Sequence, residues 1–251
     1  MRRVDKTFTS KRGNIRALAD IDLDVFEHEF LSLLGPSGCG KSTLLRCLAG
    51  LENISGGEVL IKGRPLAGPP DGLGIVFQRD MLLDWRTVLD NILLPVEFRR
   101  LPRARYVEPG LALLETFGLR RYANRYPWEL SGGMRQRAAI CRALLDDPSL
   151  LLMDEPFGAL DAITRDNLNI ELQSIWTRTR KTILFITHSI NEAILLSDRV
   201  AVMARDPGRI EEIVPIDLPR PRTLATRETP EFARYSAHVR SIFERLGTFV
   251  G

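Results

Sequence analysis

Apolar positions along the chain fall into short runs broken by glycine, proline and charge, and most of the runs are strand-sized. Ile21, Leu23 and Val25 alternate with polar residues, the period of a half-buried strand. Phe30–Leu34 is a short apolar run that ends in glycine, and Glu58–Ile61 and Gly74–Phe77 read as further short strands. Lys41–Leu51 reads as helix. The character changes from about Thr87 to Leu145, where the pattern predicts no strand. Thr87-Val88-Leu89-Asp90 resembles a helix cap, with a helix running to about Phe98. Leu111, Leu114 and Phe117 have helical spacing, and Ser131 is placed to cap a third helix running to about Asp146. Strands return at Leu150–Asp154, Thr182–Thr187, Val200–Ala204 and Ile210–Val214, with helices over Asp161–Arg178 and Ile190–Ser197. Phe232, Tyr235, Val239, Ile242 and Leu246 mark one amphipathic helix in the tail. Strand followed by helix, repeated, predicts an α/β fold: a parallel-sheet core interrupted by an all-helical insertion.

Composition changes this picture little. The 251 residues contain 44% hydrophobic and 27% charged positions, which excludes a disordered chain or a coiled-coil rod. A net charge of +3 is too small to predict nucleic-acid binding. No apolar run approaches the roughly 18 residues that would span a bilayer, and the basic N-terminus lacks the apolar stretch of a signal peptide. Cys39, Cys47 and Cys141 have no Cys-x-x-Cys spacing and read as reduced thiols. The expectation is a soluble intracellular protein whose membrane role, if any, comes through a partner.

Gly35-Pro36-Ser37-Gly38-Cys39-Gly40-Lys41-Ser42 matches the phosphate-loop pattern, with a strand before it and a helix after it. Glycines let backbone N–H groups converge on phosphate oxygens, and the following helix aims its positive end at the same anion. Lys41 would reach the β- and γ-phosphates, and Ser42 would offer its hydroxyl to Mg²⁺. Cys39 inside the loop reads as a small space-filling residue.

Leu150-Leu151-Leu152-Met153-Asp154-Glu155 is a buried parallel strand that ends in two carboxylates, at the sheet edge where such folds bind ligands. Asp154 is placed to hold Mg²⁺ through water, and Glu155 to orient or deprotonate a water attacking the γ-phosphate. His188 follows the strand Thr182–Thr187 and reads as a γ-phosphate contact at the same edge. His28 and His238 have no such setting.

Ser131-Gly132-Gly133 at a helix start is a second anion-binding geometry. One nucleotide needs only one such loop, so the economical arrangement is a homodimer. In it, the Ser131 loop of one subunit closes over ATP held by Gly35–Ser42 of the other.

With these motifs in order, the sequence resembles the ATP-binding subunits of ABC transporters over nearly its whole length. The resemblance rests on Gly35–Ser42, on Val76-Phe77-Gln78, and on the signature Leu130-Ser131-Gly132-Gly133-Met134-Arg135-Gln136. Asp154-Glu155-Pro156, Ala159-Leu160-Asp161 and His188 complete it. It implies a P-loop NTPase core with an antiparallel β subdomain (1–78 and 147–217), a helical subdomain (79–146) and a tail (218–251). It also implies nucleotide contacts from Phe8, by stacking on adenine, and from Thr43, Gln136 and Asp161. Gln78 would join Ser42 and Asp154 at Mg²⁺, while Glu155, His188, Lys41 and Gln78 would be the catalytic group. Few residues precede Phe8, so the first strand is expected to be clipped. Met81–Val88 and the segments Pro207–Ile210 and Asp217–Arg222 are similar to importers of the nitrate/sulfonate/taurine class. The implied partners are a second copy of the chain, membrane permease subunits at the cytoplasmic face and, indirectly, a solute-binding protein. The apolar Met81, Leu82, Leu83 and Trp85 would face the permease. The alternative is a soluble ABC ATPase of DNA repair or translation, but the coiled coil, zinc motif or second nucleotide-binding half it needs is not visible. The basic run Arg99–Arg105 has no interleaved aromatics and reads as a solvated connector, without nucleic acid.

Overall fold

The computed structural model describes residues 1–10 and 13–247, and the chain divides into two compact units, 1–71 with 173–251, and 72–172. Elements are numbered in chain order.

In the first unit, β1 (Arg2–Ser10) pairs antiparallel with β2 (Gly13–Ile21) and with β4 (Gly56–Glu58). β1 buries Val4 and Lys6, β2 buries Leu18, Ala19 and Ile21, and β4 buries none of its residues. β1 carries Phe8 near its end. The alternation through Leu23 and Val25 does not continue β2. The carboxylate of Asp22 accepts the Arg3 amide at 3.0 Å, a bond that a continued ladder would have made. β5 (Leu60–Ile61) and β6 (Arg64–Pro65) form a small hairpin around Lys62-Gly63.

The inner strands of this unit are β3 (Phe30–Leu34), β9 (Thr182–Thr187) and β10 (Arg199–Ala204). β3 lies between the other two and is parallel to both, and β11 (Arg209–Pro215) closes the edge antiparallel to β10. Every residue of β3 is buried, and so are all but the first of β9 and β10, which explains their near-continuous apolar sequence. Phe30 anchors the core, 6.1 Å from the Trp176 ring and 5.8 Å from Phe185. The helices of this unit are α1 (Lys41–Leu48), α7 (Ile190–Leu196) and α8 (Pro230–Arg245). α8 buries Phe232, Val239, Ile242 and Phe243, close to the face expected of the tail.

The second unit contains the parallel pair β7 (Leu73–Val76) and β8 (Leu150–Asp154). Between them lie α2 (Val88–Ile92), α3 (Leu94–Phe98), α4 (Ala104–Thr116) and α5 (Gly132–Leu144), with no strand among these described residues. The single helix expected from Thr87 to Phe98 is broken at Leu93. Pro95 has no N–H to continue the helical ladder, so the chain restarts as α3. α6 (Ala162–Thr179) carries the chain on into the first unit. The chain thus has a mixed parallel and antiparallel β core with flanking helices, and a helical segment is inserted in sequence between β7 and β8. No helix among the described residues is long and apolar enough to cross a membrane.

Candidate functional site

The phosphate loop joins β3 to α1 in the first unit. Gly38 and Gly40 adopt φ of 79° and 94°, left-handed values that a side chain resists. At Gly40 a Cβ would also lie 2.8 Å from Leu18 Cδ2 and 2.9 Å from the Ala17 carbonyl, so only glycine fits. Lys41 is buried, and its ammonium donates to the carbonyls of Gly35 (2.8 Å) and Pro36 (3.0 Å), which holds it across the loop. Ser37 and Gly38 are exposed, Pro36, Ser42 and Thr43 half-buried, and Gly35 and Cys39 buried. The first turn of α1 carries no acidic side chain. Cys39 is 1% exposed, in keeping with a space-filling role.

Phe8 lies on β1, 39% exposed, with the Lys6 ammonium 4.7 Å from its ring centroid. His188 follows β9 directly and is exposed.

In the second unit β8 delivers Asp154 and Glu155, both half-buried. Glu155 has φ 44°, a strained left-handed conformation of the kind that collects at functional positions. Its carboxylate accepts a hydrogen bond from the Gln78 amide at 3.3 Å, so two residues far apart in sequence meet. Ser131 and Gly132 are exposed at the start of α5, whose first turn is also free of acidic residues. The Ser131 hydroxyl caps that helix by accepting the Met134 amide at 3.3 Å. Gly133 is half-buried. Gln136 is buried and turned toward the Phe77 carbonyl, 3.5 Å away. Asp161 caps α6 by accepting the Thr164 amide, and this bond holds its carboxyl below the usual range.

Sequence reasoning missed how α5 grips the segment after Gln78. Arg135 pairs with the Asp80 carboxylate at 3.0 Å, and Arg142 donates to the carbonyls of Asp80 and Met81, each at 2.7 Å. The signal was the arginine spacing on the signature helix. Met81 and Trp85 are 58% and 73% exposed, while Leu82 and Leu83 are half-buried. Arg99 is paired with Asp146, and Arg103 with Asp90 and Glu97, so part of the basic run is spent on internal ion pairs. All three cysteines are buried, and none forms a disulfide among the described residues. Burial raises the thiol pKa of Cys47 and of Cys141.

A glycine loop at a helix start, an acidic strand end and a serine-capped signature helix define a nucleotide-hydrolysing cassette. The family description "ABC transporter" matches residues 18–158. An uncharacterized ABC transporter ATP-binding protein of Methanocaldococcus jannaschii is 46% identical over 95% of this chain and 88% of its own length. The aliphatic sulfonates import ATP-binding protein SsuB of Bacillus licheniformis is 42% identical over 98% of this chain and 94% of its own. The dimeric structure of MJ0796, described as a bacterial ABC transporter cassette, is 33% identical with a TM-score of 0.77, over 86% of this chain and 98% of that one. The chain belongs to the ABC transporter family, as one of its ATP-binding, ATP-hydrolysing subunits.

Proposed function

We propose that the protein powers solute import, working as a homodimer attached to membrane permease subunits at the cytoplasmic face. The observation that carries this reading is that two helices start on glycine with no acidic residue in the first turn, at Gly40-Lys41 and at Ser131-Gly132-Gly133. One triphosphate needs both only if a second copy supplies the second. The dimeric form of MJ0796 and the sulfonate importer SsuB support the same reading.

Lys41 and the N-terminus of α1 would neutralise charge on the β- and γ-phosphates, with Ser37, Gly38 and Thr43 lining the loop. The Ser42 hydroxyl, the Asp154 carboxylate and the Gln78 amide are hard oxygen donors, the set that suits Mg²⁺. When bound, Mg²⁺ would spread the negative charge that develops on the phosphates. Glu155 would orient the attacking water and take its proton, and His188 would contact the γ-phosphate. From the partner copy, Ser131, Gly132 and Gly133 would cap the triphosphate and Asp161 would reach across. Phe8 would stack on adenine. Exposed Met81 and Trp85 would give the permease its apolar foothold, and α5 would relay motion through Arg135 and Arg142 to the segment that contains them.

Hydrolysis per molecule, measured across a dilution series, tests the shared site. Activity that rises steeply with protein concentration is expected, and activity independent of dilution would refute the dimer. Reconstitution with a permease that co-purifies with the protein should give ATP-dependent uptake into vesicles.

A further inference from the structure

We infer that Thr187 and Glu192 are positioning residues for His188, and that they set the imidazole through the first turn of α7. This rests on the reading of His188 as the γ-phosphate contact.

His188 sits between Thr187, the last residue of β9, and Ser189, the N-cap of α7. Ser189 and Glu192 have the spacing of a capping box, in which the glutamate normally accepts the N-cap amide directly. Here a hydroxyl is interposed. The Ser189 amide donates to Thr187 Oγ1 at 3.0 Å, and that hydroxyl donates to Glu192 Oε2 at 2.5 Å. The Glu192 amide in turn donates to Ser189 Oγ at 3.3 Å. The three bonds close a ring around the His188 backbone, and none of them involves the imidazole.

Burial makes the ring stiff. Thr187 is 2% exposed and Glu192 5%, so water competes poorly for these bonds. His188 itself is exposed. A buried carboxylate in the first turn of α7 is also favoured by the helix dipole. The far end of α7 is fixed separately. The Arg222 guanidinium donates to the carbonyls of Ile194 (2.8 Å) and Ser197 (2.7 Å), and Gln173 accepts the Arg222 amide at 2.9 Å. The segment that carries His188 is thus braced on both sides and at the end of the helix that follows it. An ordinary capping box would have held the helix start without Thr187. Inserting the residue that precedes His188 ties the exit of the strand to the entry of the helix and leaves the imidazole little freedom in direction.

The test compares His188→Ala, Thr187→Val and Thr187→Ser in the full chain by ATP turnover, equilibrium binding of a fluorescent ATP analogue and thermal melting. Valine keeps the shape of threonine and removes the hydroxyl, whereas serine keeps the hydroxyl. Thr187→Val should lower kcat by about tenfold or more with nucleotide affinity within about twofold, and Thr187→Ser should return kcat to within about threefold of the parent. If His188→Ala abolishes turnover while Thr187→Val keeps the parent kcat, the bracing is refuted and the role of His188 stands. The bracing is equally refuted if Thr187→Val loses turnover and affinity together and serine does not rescue it. If His188→Ala turns over like the parent, the reading of His188 itself fails. Should Thr187→Val not fold, Glu192→Gln and Glu192→Leu replace it. The glutamine carbonyl can still accept the Thr187 hydroxyl and should stay within about threefold of the parent, while leucine should lose about tenfold. Equal kcat for these two would overturn the inference.

Discussion

The side-chain amide of Gln78 donates to the carboxylate of Glu155, Nε2 to Oε2, across 3.3 Å. The residue proposed as catalytic base is therefore held by the residue that opens the segment gripped by α5. Through Arg135 and Arg142 that segment is tied to the helix that begins at Ser131. The signature helix and the proposed base are thus joined through contacts inside one unit.

Glu155→Gln keeps the size of the side chain and removes its basicity. The variant should bind ATP with parent affinity, turn over about a hundredfold more slowly or worse, and accumulate as an ATP-loaded dimer in size-exclusion chromatography. Hydrolysis at the parent rate would remove Glu155 from the role of base.

Ser131 is exposed, and beside it Gly132 has room, a Cβ there meeting nothing closer than 3.9 Å. Ser131→Arg puts a long cation where the proposed partner triphosphate would sit. Binding of ATP by the isolated subunit should be unchanged, because Lys41 and its loop are untouched. ATP-driven dimerisation should be lost, and light scattering with and without ATP distinguishes the two. An ATP-bound dimer of normal stability would refute the shared site.

What was legible in the sequence is what lies close together in it. Gly35–Ser42, Ser131–Gly133 and Asp154-Glu155 are short stretches whose spacing fixes their chemistry, and β3, β9 and β10 declared themselves by unbroken apolar character. The contact of Gln78 with Glu155 was not legible, because it depends on how β7 and β8 align. Nor was the hydroxyl relay from Ser189 through Thr187 to Glu192, since the capping-box spacing gives no sign of the residue inserted into it. The break at Leu93 has its sign in Pro95, which has no N–H for the helical ladder. The alternation of Ile21, Leu23 and Val25 does not become a strand, because beyond Ile21 the Asp22 carboxylate takes the Arg3 amide.

Acid should weaken the start of α2 specifically. Burial alone would raise the Asp90 carboxyl pKa, but hydrogen bonds from the Thr87 hydroxyl and the Arg103 guanidinium outweigh it and leave the pKa below the ordinary 3.8. A carboxyl with a depressed folded pKa stabilises fully above its unfolded value, and that contribution disappears as pH falls through the folded one. Asp90→Asn should therefore be less stable than the parent at about pH 7, and the two urea midpoints should converge as pH falls below the ordinary carboxyl range. A gap that is constant with pH would show that the ionised carboxylate contributes nothing.

Arg222 gives the sharpest stability prediction. It is 2% exposed, and its guanidinium donates to the carbonyls of Ile194, Leu195, Ser197, Ile216 and Leu218. Burial, reinforced by the nearby charge of Arg220, lowers its pKa to about 10, which still leaves it cationic at neutral pH. A cation at the C-terminus of α7 is also favoured by the helix dipole. Arg222→Met fills similar space with no donor and strands buried carbonyls, each costly to leave unpaired. The loss should be about 3 kcal/mol or more, read from urea denaturation. Arg222→Lys should recover only part of it, because an ammonium carries three donors in place of the five of a planar guanidinium and cannot span the same set of carbonyls. If lysine restores full stability, charge at the helix end is the whole contribution. If methionine costs nothing, the carbonyls are satisfied by water and the tail is not clamped to α7 through this residue.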